Sequence, residues 1–285
     1  MTASWRRRAG HSVGVRILQL SDTHVSGEDG GDDPALAALD RLLADLADVE
    51  DIDVVLVTGD VADDAAGMPV VRDRVGAFAA ARGIPQVYLP GNGDDPEGFR
   101  HHLGSGHLDP SGADTTPSAG PRGAAVAVHD GVRLVTLDST VPGQMHGHLG
   151  DEALTWLREV LTTPAPAGTV LAMHHPPLPV PDSAFLTSVA LREQDALAEA
   201  IAGTDVRAVL TGHFHLQAAG LCGDVPVWVS PAVESRVDLT APRGTLRFLE
   251  DPGASVITLP ADRPVSFHSV HARGAARELR AVELG

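Results

Sequence analysis

Two strand-like runs, each stopping abruptly on polar residues, restrict the possible folds most. Val54-Val55-Leu56-Val57 ends in Thr58-Gly59-Asp60, and Val15-Arg16-Ile17-Leu18-Gln19-Leu20 ends in Ser21-Asp22-Thr23-His24. A strand covered on both faces reads as a continuous apolar run, and such strands belong to parallel sheets sandwiched between other layers. Between the two runs, Leu36, Leu39, Leu42, Leu43 and Leu46 recur at helical spacing within Pro34 to Asp48, with Pro34 suited to a first turn. Val70 to Ala81 reads as a second helix stopped by Gly83. Gln86-Val87-Tyr88-Leu89 is then a third strand, ending in Pro90-Gly91-Asn92-Gly93-Asp94. Strand, helix, strand, helix, strand implies parallel pairing through right-handed crossovers.

The remaining pattern extends the same architecture. Gly104 to Gly123, rich in Gly, Pro, Ser and Thr, reads as a surface excursion. Ala124 to Val128 and Val132 to Leu137 flank His129-Asp130-Gly131 and predict a hairpin. Asp151 to Leu161 is expected as a helix with Trp156 and Leu157 inward, and Thr169 to Met173 as a strand meeting His174-His175-Pro176-Pro177. Val189 to Ile201 is expected as another helix, and Val206 to Leu210 as a strand leading to Thr211-Gly212-His213-Phe214-His215. From Gln217 onward short β runs take over, at Val225 to Val229, Thr245 to Leu249, Ser255 to Leu259 and Val265 to His271, which predict a second sheet packed on the first. This order of elements predicts an α/β protein, a four-layer αββα sandwich with two central mixed β-sheets. Residues 1–14 would be an N-terminal tail, 15–240 the main domain, and 241–285 a β-rich extension packed on that domain.

Composition narrows the partners. At 285 residues and 43% apolar, the chain can bury a large core. Its formal charge is −17 and all 21 basic residues are arginine. An acidic chain without a basic stripe repels nucleic acid polymers, whereas a small anion is still accepted where a metal supplies local positive charge. Cys222 stands alone, which excludes a disulfide framework or a thiolate metal cage and fits a reducing compartment. Arg6, Arg7 and Arg8 resemble the start of a signal peptide, but the apolar run Val13 to Leu20 is short, is broken by Arg16, and lacks a small-residue cleavage site. No run approaches the roughly 20 apolar residues of a membrane span. A cytoplasmic protein without membrane insertion is expected.

Five strand ends carry side chains able to bind a metal: Asp22 and His24, Asp60, Asn92, the His174-His175 pair, and His213 with His215. In open α/β sheets ligands gather at the carboxyl edge. In an extended chain, side chains two apart point the same way, so Asp22 converges with His24 and His213 with His215. His174 and His175 should point to opposite faces, and the residues alone do not choose between them. Carboxylate, amide oxygen and imidazole without sulfur suit Mn, Fe, Zn or Co. Asp63 and Asp64 suit helix capping or a hydrogen bond to a ligand as well as they suit ligation.

In this order, these residues resemble the calcineurin-like metallophosphoesterases, and within them the bacterial cyclic-nucleotide phosphodiesterases. The resemblance rests on Asp22-Thr23-His24, Gly59-Asp60, Gly91-Asn92, His174-His175-Pro176-Pro177 and Gly212-His213-Phe214-His215, and spans Val15 to Pro231. Leu171 to Pro177 and Asp138-Ser139-Thr140-Val141-Pro142-Gly143 carry the narrower likeness. It implies that 15–240 is a metallophosphoesterase domain. Asp22, His24 and His215 would hold one divalent ion, Asn92, His174 and His213 a second, with Asp60 bridging them. It further implies hydrolysis of small phosphodiesters, 3′,5′-cyclic nucleotides above all, by a hydroxide held between the metals and without a covalent protein intermediate. Asp60, Asn92 and His213 are then the catalytic residues, Asn92 also contacts substrate, and paired subunits, a homodimer, fit the family.

One position departs from that pattern. The family's His after the ligand Asn, assigned to the phosphate and to protonating the leaving group, is Gly93 here. A loop histidine then has to contact substrate and supply the proton, His146 first, with His101, His102 and His148 behind it, or solvent does so. Two alternatives follow: a broad-specificity phosphodiesterase or phosphomonoesterase, and a nucleotide-binding protein with catalysis weakened at Gly93.

Overall fold

The computed structural model describes residues 3–5, 14–27, 33–116, 120–274 and 277–283, and Arg6 to Arg8 lie outside them. Two mixed sheets form the centre. One has six strands in the order Ser266–His271, Gly253–Leu259, Val15–Leu20, Val54–Thr58, Gln86–Leu89 and His107–Leu108. The other has seven, in the order Ala3–Trp5, Ala125–His129, Val132–Thr136, Thr169–Ala172, Val206–Thr211, Val225–Val229 and Ala218–Cys222. In both, the middle strands are parallel, as the unbroken apolar runs require.

The absence of alternation has a direct cause in the packing. Ile17, Val54 and Leu56 meet Leu134, Val170 and Leu210 of the opposite sheet. Their neighbours Leu18, Leu20, Val55 and Val57 face outward into Leu39, Leu42, Val71 and Val75, on the helices Pro34–Asp45 and Gly67–Arg82. On the far side Val135, Leu171 and Val209 pack with Leu154, Leu157 and Leu197, from Gly150–Leu161 and Gln194–Ile201. Each fully buried Leu or Val contributes roughly 1.5–3 kcal/mol. The result is the expected four-layer αββα sandwich. Polar ties cross between the sheets: Gln19 Nε2 donates to Thr211 O (2.9 Å), Trp228 Nε1 to Ser255 Oγ (2.8 Å), and His107 Nε2 lies 2.8 Å from Thr136 Oγ1.

Several elements differ from the sequence reading. The second helix begins at Gly67, earlier than Val70, and ends at Arg82 on Gly83 with φ 63°. The hairpin turn is the two-residue Asp130-Gly131, with φ 45° and 85°, leaving His129 in the strand. Trp156 is half-buried, whereas Leu157 is fully buried. The helix expected over 189–201 is two helices, Ala184–Val189 and Gln194–Ile201. Ala190 breaks it at ψ 175°, and extended backbone follows, with Leu191 N donating to Pro176 O (3.0 Å) and Arg192 N to Gly147 O (3.1 Å).

The late β runs do not assemble a second sheet of their own. Val225–Val229 joins the strands from the middle of the chain, and Gly253–Leu259 pairs antiparallel with Val15–Leu20. Its residues Val256 and Ile257 enter two different cores, so it too needs cover on both faces. Arg236–Val237, Thr245–Glu250 and Arg277–Glu283 make a third, three-stranded sheet. Arg273 reaches Asp45, while the side chains of Arg277 and Arg280 lie outside the described residues. Among the described residues no helix is long and apolar enough to cross a membrane.

Candidate metal centre

The parallel strands Val15–Leu20 and Val54–Thr58 continue their pairing past their ends. Asp22 N donates to Gly59 O and His24 N to Asp60 O, both at 3.0 Å. The backbone there is not extended: Asp22, His24, Asp60, His213 and His215 all have positive φ, between 47° and 70°. The convergence expected from an extended chain therefore occurs by another route, a left-handed kink at each ligand position. Such conformations are uncommon outside glycine and gather where a site dictates the backbone. Glycines let the loops close in. A Cβ on Gly91 would lie 2.2 Å from Asp60 Oδ1, and one on Gly59 2.4 Å from His174 Nδ1.

The side chains form two groups around Asp60. His24 Nε2 and His215 Nε2 are 3.1 Å apart, and Asp22 Oδ1 is 3.5 Å from His215 Nε2. His174 Nε2 and His213 Nδ1 are likewise 3.1 Å apart. Asp60 Oδ2 lies 3.5 Å from His24 Nε2 and 3.3 Å from His174 Nε2, facing both groups. Two nitrogens about 3 Å apart match two ligands of one ion held at roughly 2.1 Å from each. Asn92, the only asparagine in the chain, lines the same cavity as Asp60 and His213. Its Oδ1 is buried without a hydrogen-bond partner, as a ligand oxygen awaiting a cation would be. The donor set thus fits two divalent ions.

His174 and His175 are separated by their partners. His174 Nδ1 donates to Thr58 O (2.8 Å), which turns Nε2 toward Asp60. His175 Nδ1 meets Ser139 Oγ (2.8 Å), and its ring stays within 4.5 Å of the His213 ring. The residues therefore do not occupy opposite faces in isolation; both rings belong to one buried cluster.

Further side chains orient the rings. Asp63 Oδ1 is 2.6 Å from His24 Nδ1, and Ser235 Oγ is 2.9 Å from His215 Nδ1, with Glu234 close by. Asp94 Oδ1 accepts from Val61 N and Ala62 N, and its Oδ2 from Gly91 N. Asp63 already stood out in the sequence, but Asp94, Ser139 and Ser235 did not. Their spacing matches no ligand pattern, and only Asp94, directly after Gly-Asn-Gly, offered a local signal. Asp64 accepts from Ser26 Oγ, Gly27 N and Gly67 N, the last at the first residue of the second helix.

Burial and neighbouring charge divide the protons unevenly. Burial pulls His24 down, but the Asp63, Asp60 and Asp22 carboxylates outweigh it and hold the ring up at about 10. His174 is raised to about 9 against burial, chiefly by Asp60. Burial, with His174 beside it, lowers His213 to about 3. Asp22 rises to about 6 through burial, while Asp60 is held well below the usual range despite burial by His174 and His24.

The cavity over these ligands, about 200 Å³, is walled by Met145, Phe185, Leu246 and Phe248, with Asp63 and Glu234 at its polar side. The third sheet thus reaches the centre, and Phe248 meets the His215 ring edge-on. Position 146 does not. His146 is half-buried beside Arg192 and His148, and the cavity wall includes its neighbour Met145 instead. His148 pairs with Glu193, while His101 and His102 sit on the helix Pro96–Leu103. Among the described residues, no hydrogen bond or ion pair joins any of the four histidines to a ligand side chain.

A two-sheet sandwich with a carboxylate between two histidine clusters at its strand ends is the architecture of a metal-dependent phosphoesterase. The model of the calcineurin-like phosphoesterase family matches residues 15–217, and the chain belongs to that family. It is 40% identical over 238 residues to a cAMP/cGMP dual specificity phosphodiesterase of Mycobacterium tuberculosis, covering 81% of this chain and 71% of that one. It is 36% identical to a probable cyclic nucleotide phosphodiesterase of Rhodococcus erythropolis, over 81% of this chain and 75% of the relative. Among solved structures, GAP50, the anchor in the inner membrane complex of Plasmodium, shares the fold with a TM-score of 0.61 at 12% identity, over 96% of this chain and 89% of that one.

Proposed function

We propose that this chain is a metal-dependent phosphodiesterase of small phosphodiesters, most of all 3′,5′-cyclic nucleotides. The observation that carries the reading is Asp60 Oδ2 within 3.5 Å of a histidine from each cluster. The printed activities of the relatives from Mycobacterium and Rhodococcus support the substrate class. Asp22, His24 and His215 would hold one ion and Asn92, His174 and His213 the other, with Asp60 able to serve both; Mn, Fe, Zn or Co suits the donors. When bound, such a pair acidifies water and neutralises phosphoryl oxygens.

The chain's own residues do the rest. Asp63, Ser235 and Thr58 O fix which nitrogen each histidine presents. Asp60 Oδ1 is anchored by Gly93 N at 2.7 Å, which leaves Oδ2 pointed between the clusters. Met145, Phe185 and Phe248 give the reacting phosphate an apolar wall. Asp60, Asn92 and His213 are the catalytic residues, with Asn92 against the phosphate. Gly93 supplies no leaving-group proton, which leaves His146 or solvent to supply it. Residues 15–240 are the catalytic unit and 241–285 pack on it, supported by the pairing of Gly253–Leu259 with Val15–Leu20. The free, buried Cys222 is consistent with a reducing cytoplasm, and a homodimer is testable by light scattering.

Purified protein stripped of metal and reloaded with Mn(II) should hydrolyse cAMP and cGMP, and Asp60→Asn should abolish this. Turnover of aryl esters and glycerophosphodiesters alone would point to the broad-specificity alternative. Tight nucleotide binding without turnover under any metal would mark a binding protein, the reading that Gly93 favours.

A further inference from the structure

A second cavity, about 560 Å³, lies beside the ligand cluster, with Asn92 on the wall of both. It opens between the end of the strand Gln86–Leu89, the helix Pro96–Leu103 and the loop after Val132–Thr136. The smaller cavity over the ligands, at about 200 Å³, falls below the roughly 300–1,000 Å³ typical of whole-ligand sites, whereas the larger one falls within it. A molecule whose phosphate sits at Asn92 can therefore place its bulk in only one of the two.

We propose that the larger cavity seats the nucleoside of the substrate, with Asp138 and Arg122 receiving the edge of the base. This rests on the cyclic-nucleotide reading above and adds where and how the base is recognised. The floor is apolar, with Leu89, Phe99 and Leu137 buried. Of the charged residues that line it, Asp94, Arg100, Arg122 and Asp138, the last two lie together. Asp138 Oδ1 accepts from Thr140 N and Thr140 Oγ1, both at 2.7 Å, which fixes the carboxylate plane and leaves Oδ2 without a partner among the described residues. Arg122 donates to Thr140 O and lies 3.6 Å from Asp138 Oδ1. A fixed carboxylate oxygen beside a guanidinium offers an acceptor next to donors. A base edge presents the complementary donor beside an acceptor, N6–H with N1 in adenine and N1–H with O6 in guanine.

The test is steady-state kinetics of the full, Mn(II)-loaded chain on cAMP, cUMP and methyl p-nitrophenyl phosphate, for the wild type, Val141→Trp and Asp138→Asn. Val141 is half-buried on the cavity wall, so tryptophan there fills the space without touching the ligand cluster. Val141→Trp is expected to lose about tenfold or more in kcat/KM on cAMP beyond any change on the small aryl diester, mainly through KM. Inhibition by inorganic phosphate, which needs the metal ligands alone, reports whether that variant's centre is intact. Asp138→Asn keeps the oxygen that Thr140 requires but puts an amide N–H where the free acceptor stood, and is expected to cut kcat/KM on cAMP by about tenfold relative to the aryl diester. Equal losses on all three substrates, or unchanged cAMP kinetics in both variants, overturn the proposal. A wild type that cleaves the aryl diester but no cyclic nucleotide instead defeats the substrate reading on which it rests.

Discussion

Asp63 grips His24 Nδ1 at 2.6 Å and thereby decides that Nε2 faces Asp60 and His215. Asp63→Asn preserves shape but not charge, and is expected to weaken metal binding about 10- to 100-fold, measured by competition against a chelator. The same ring sets a pH dependence. His24 and His174, raised to about 10 and about 9, hold protons at pH 7 in the metal-free chain. A nitrogen binds an ion only after losing its proton, so loading at pH 7 should expel about two protons per chain. Apparent affinity should rise with pH and level off above about 10, where both rings are already neutral. Calorimetry in buffers of different ionisation enthalpy reads the release; none at pH 7 would contradict the assignment of these two rings. At Gly93, φ is not positive, and an added Cβ would stand 3.3 Å from Asp60 Oδ1, a fit that needs a shift of a few tenths of an ångström. Gly93→His is expected to raise kcat on cyclic nucleotides, whose leaving group is an alkoxide, by up to about 10²-fold, and to do much less for aryl diesters. Equal gains on both would remove position 93 from leaving-group chemistry.

The loops that carry the ligands depend on one carboxylate. Asp94 ties Val61 and Ala62, after one strand, to Gly91, after the next, through three buried N–H groups. Asp94→Ala strands all three, each at roughly 1–3 kcal/mol, so a loss of several kcal/mol in urea denaturation is expected, with Asp94→Asn costing less because one acceptor survives. A loss below about 1 kcal/mol for the alanine variant would mean that water replaces the carboxylate. The strand ends themselves were readable because a doubly buried strand writes its whole length in apolar residues and must stop where polar ones begin. Their geometry was not, since nothing in an Asp or His announces a left-handed kink, and five such kinks aim the ligands. The break at Ala190 was equally hidden: alanine favours helix, and backbone bonds to Pro176 and Gly147 override that preference.

Across the whole molecule, the family and the two-sheet sandwich were readable, whereas the placement of the late strands was not. Gly253–Leu259 pairs with Val15–Leu20 across most of the chain, and a short apolar run carries no mark of so distant a partner. Cohesion of the two sheets also rests on buried polar ties, and one of them titrates. Burial holds His107 down at about 4, with Asp114 pulling weakly the other way, and its Nε2 meets Thr136 on the opposite sheet. In the unfolded chain the ring titrates near 6.5. Between those values the unfolded chain takes up a proton that the folded one refuses, so this contribution is complete above about 6.5 and lost as pH falls toward 4. The loss should reach on the order of 2 kcal/mol by pH 5. His107→Gln can still hydrogen-bond to Thr136 but does not titrate, so it should be less stable than the wild type at pH 8 and show the smaller further loss at pH 5. Urea midpoints for both proteins at the two pH values measure this, and parallel declines would mean that the acid sensitivity arises elsewhere.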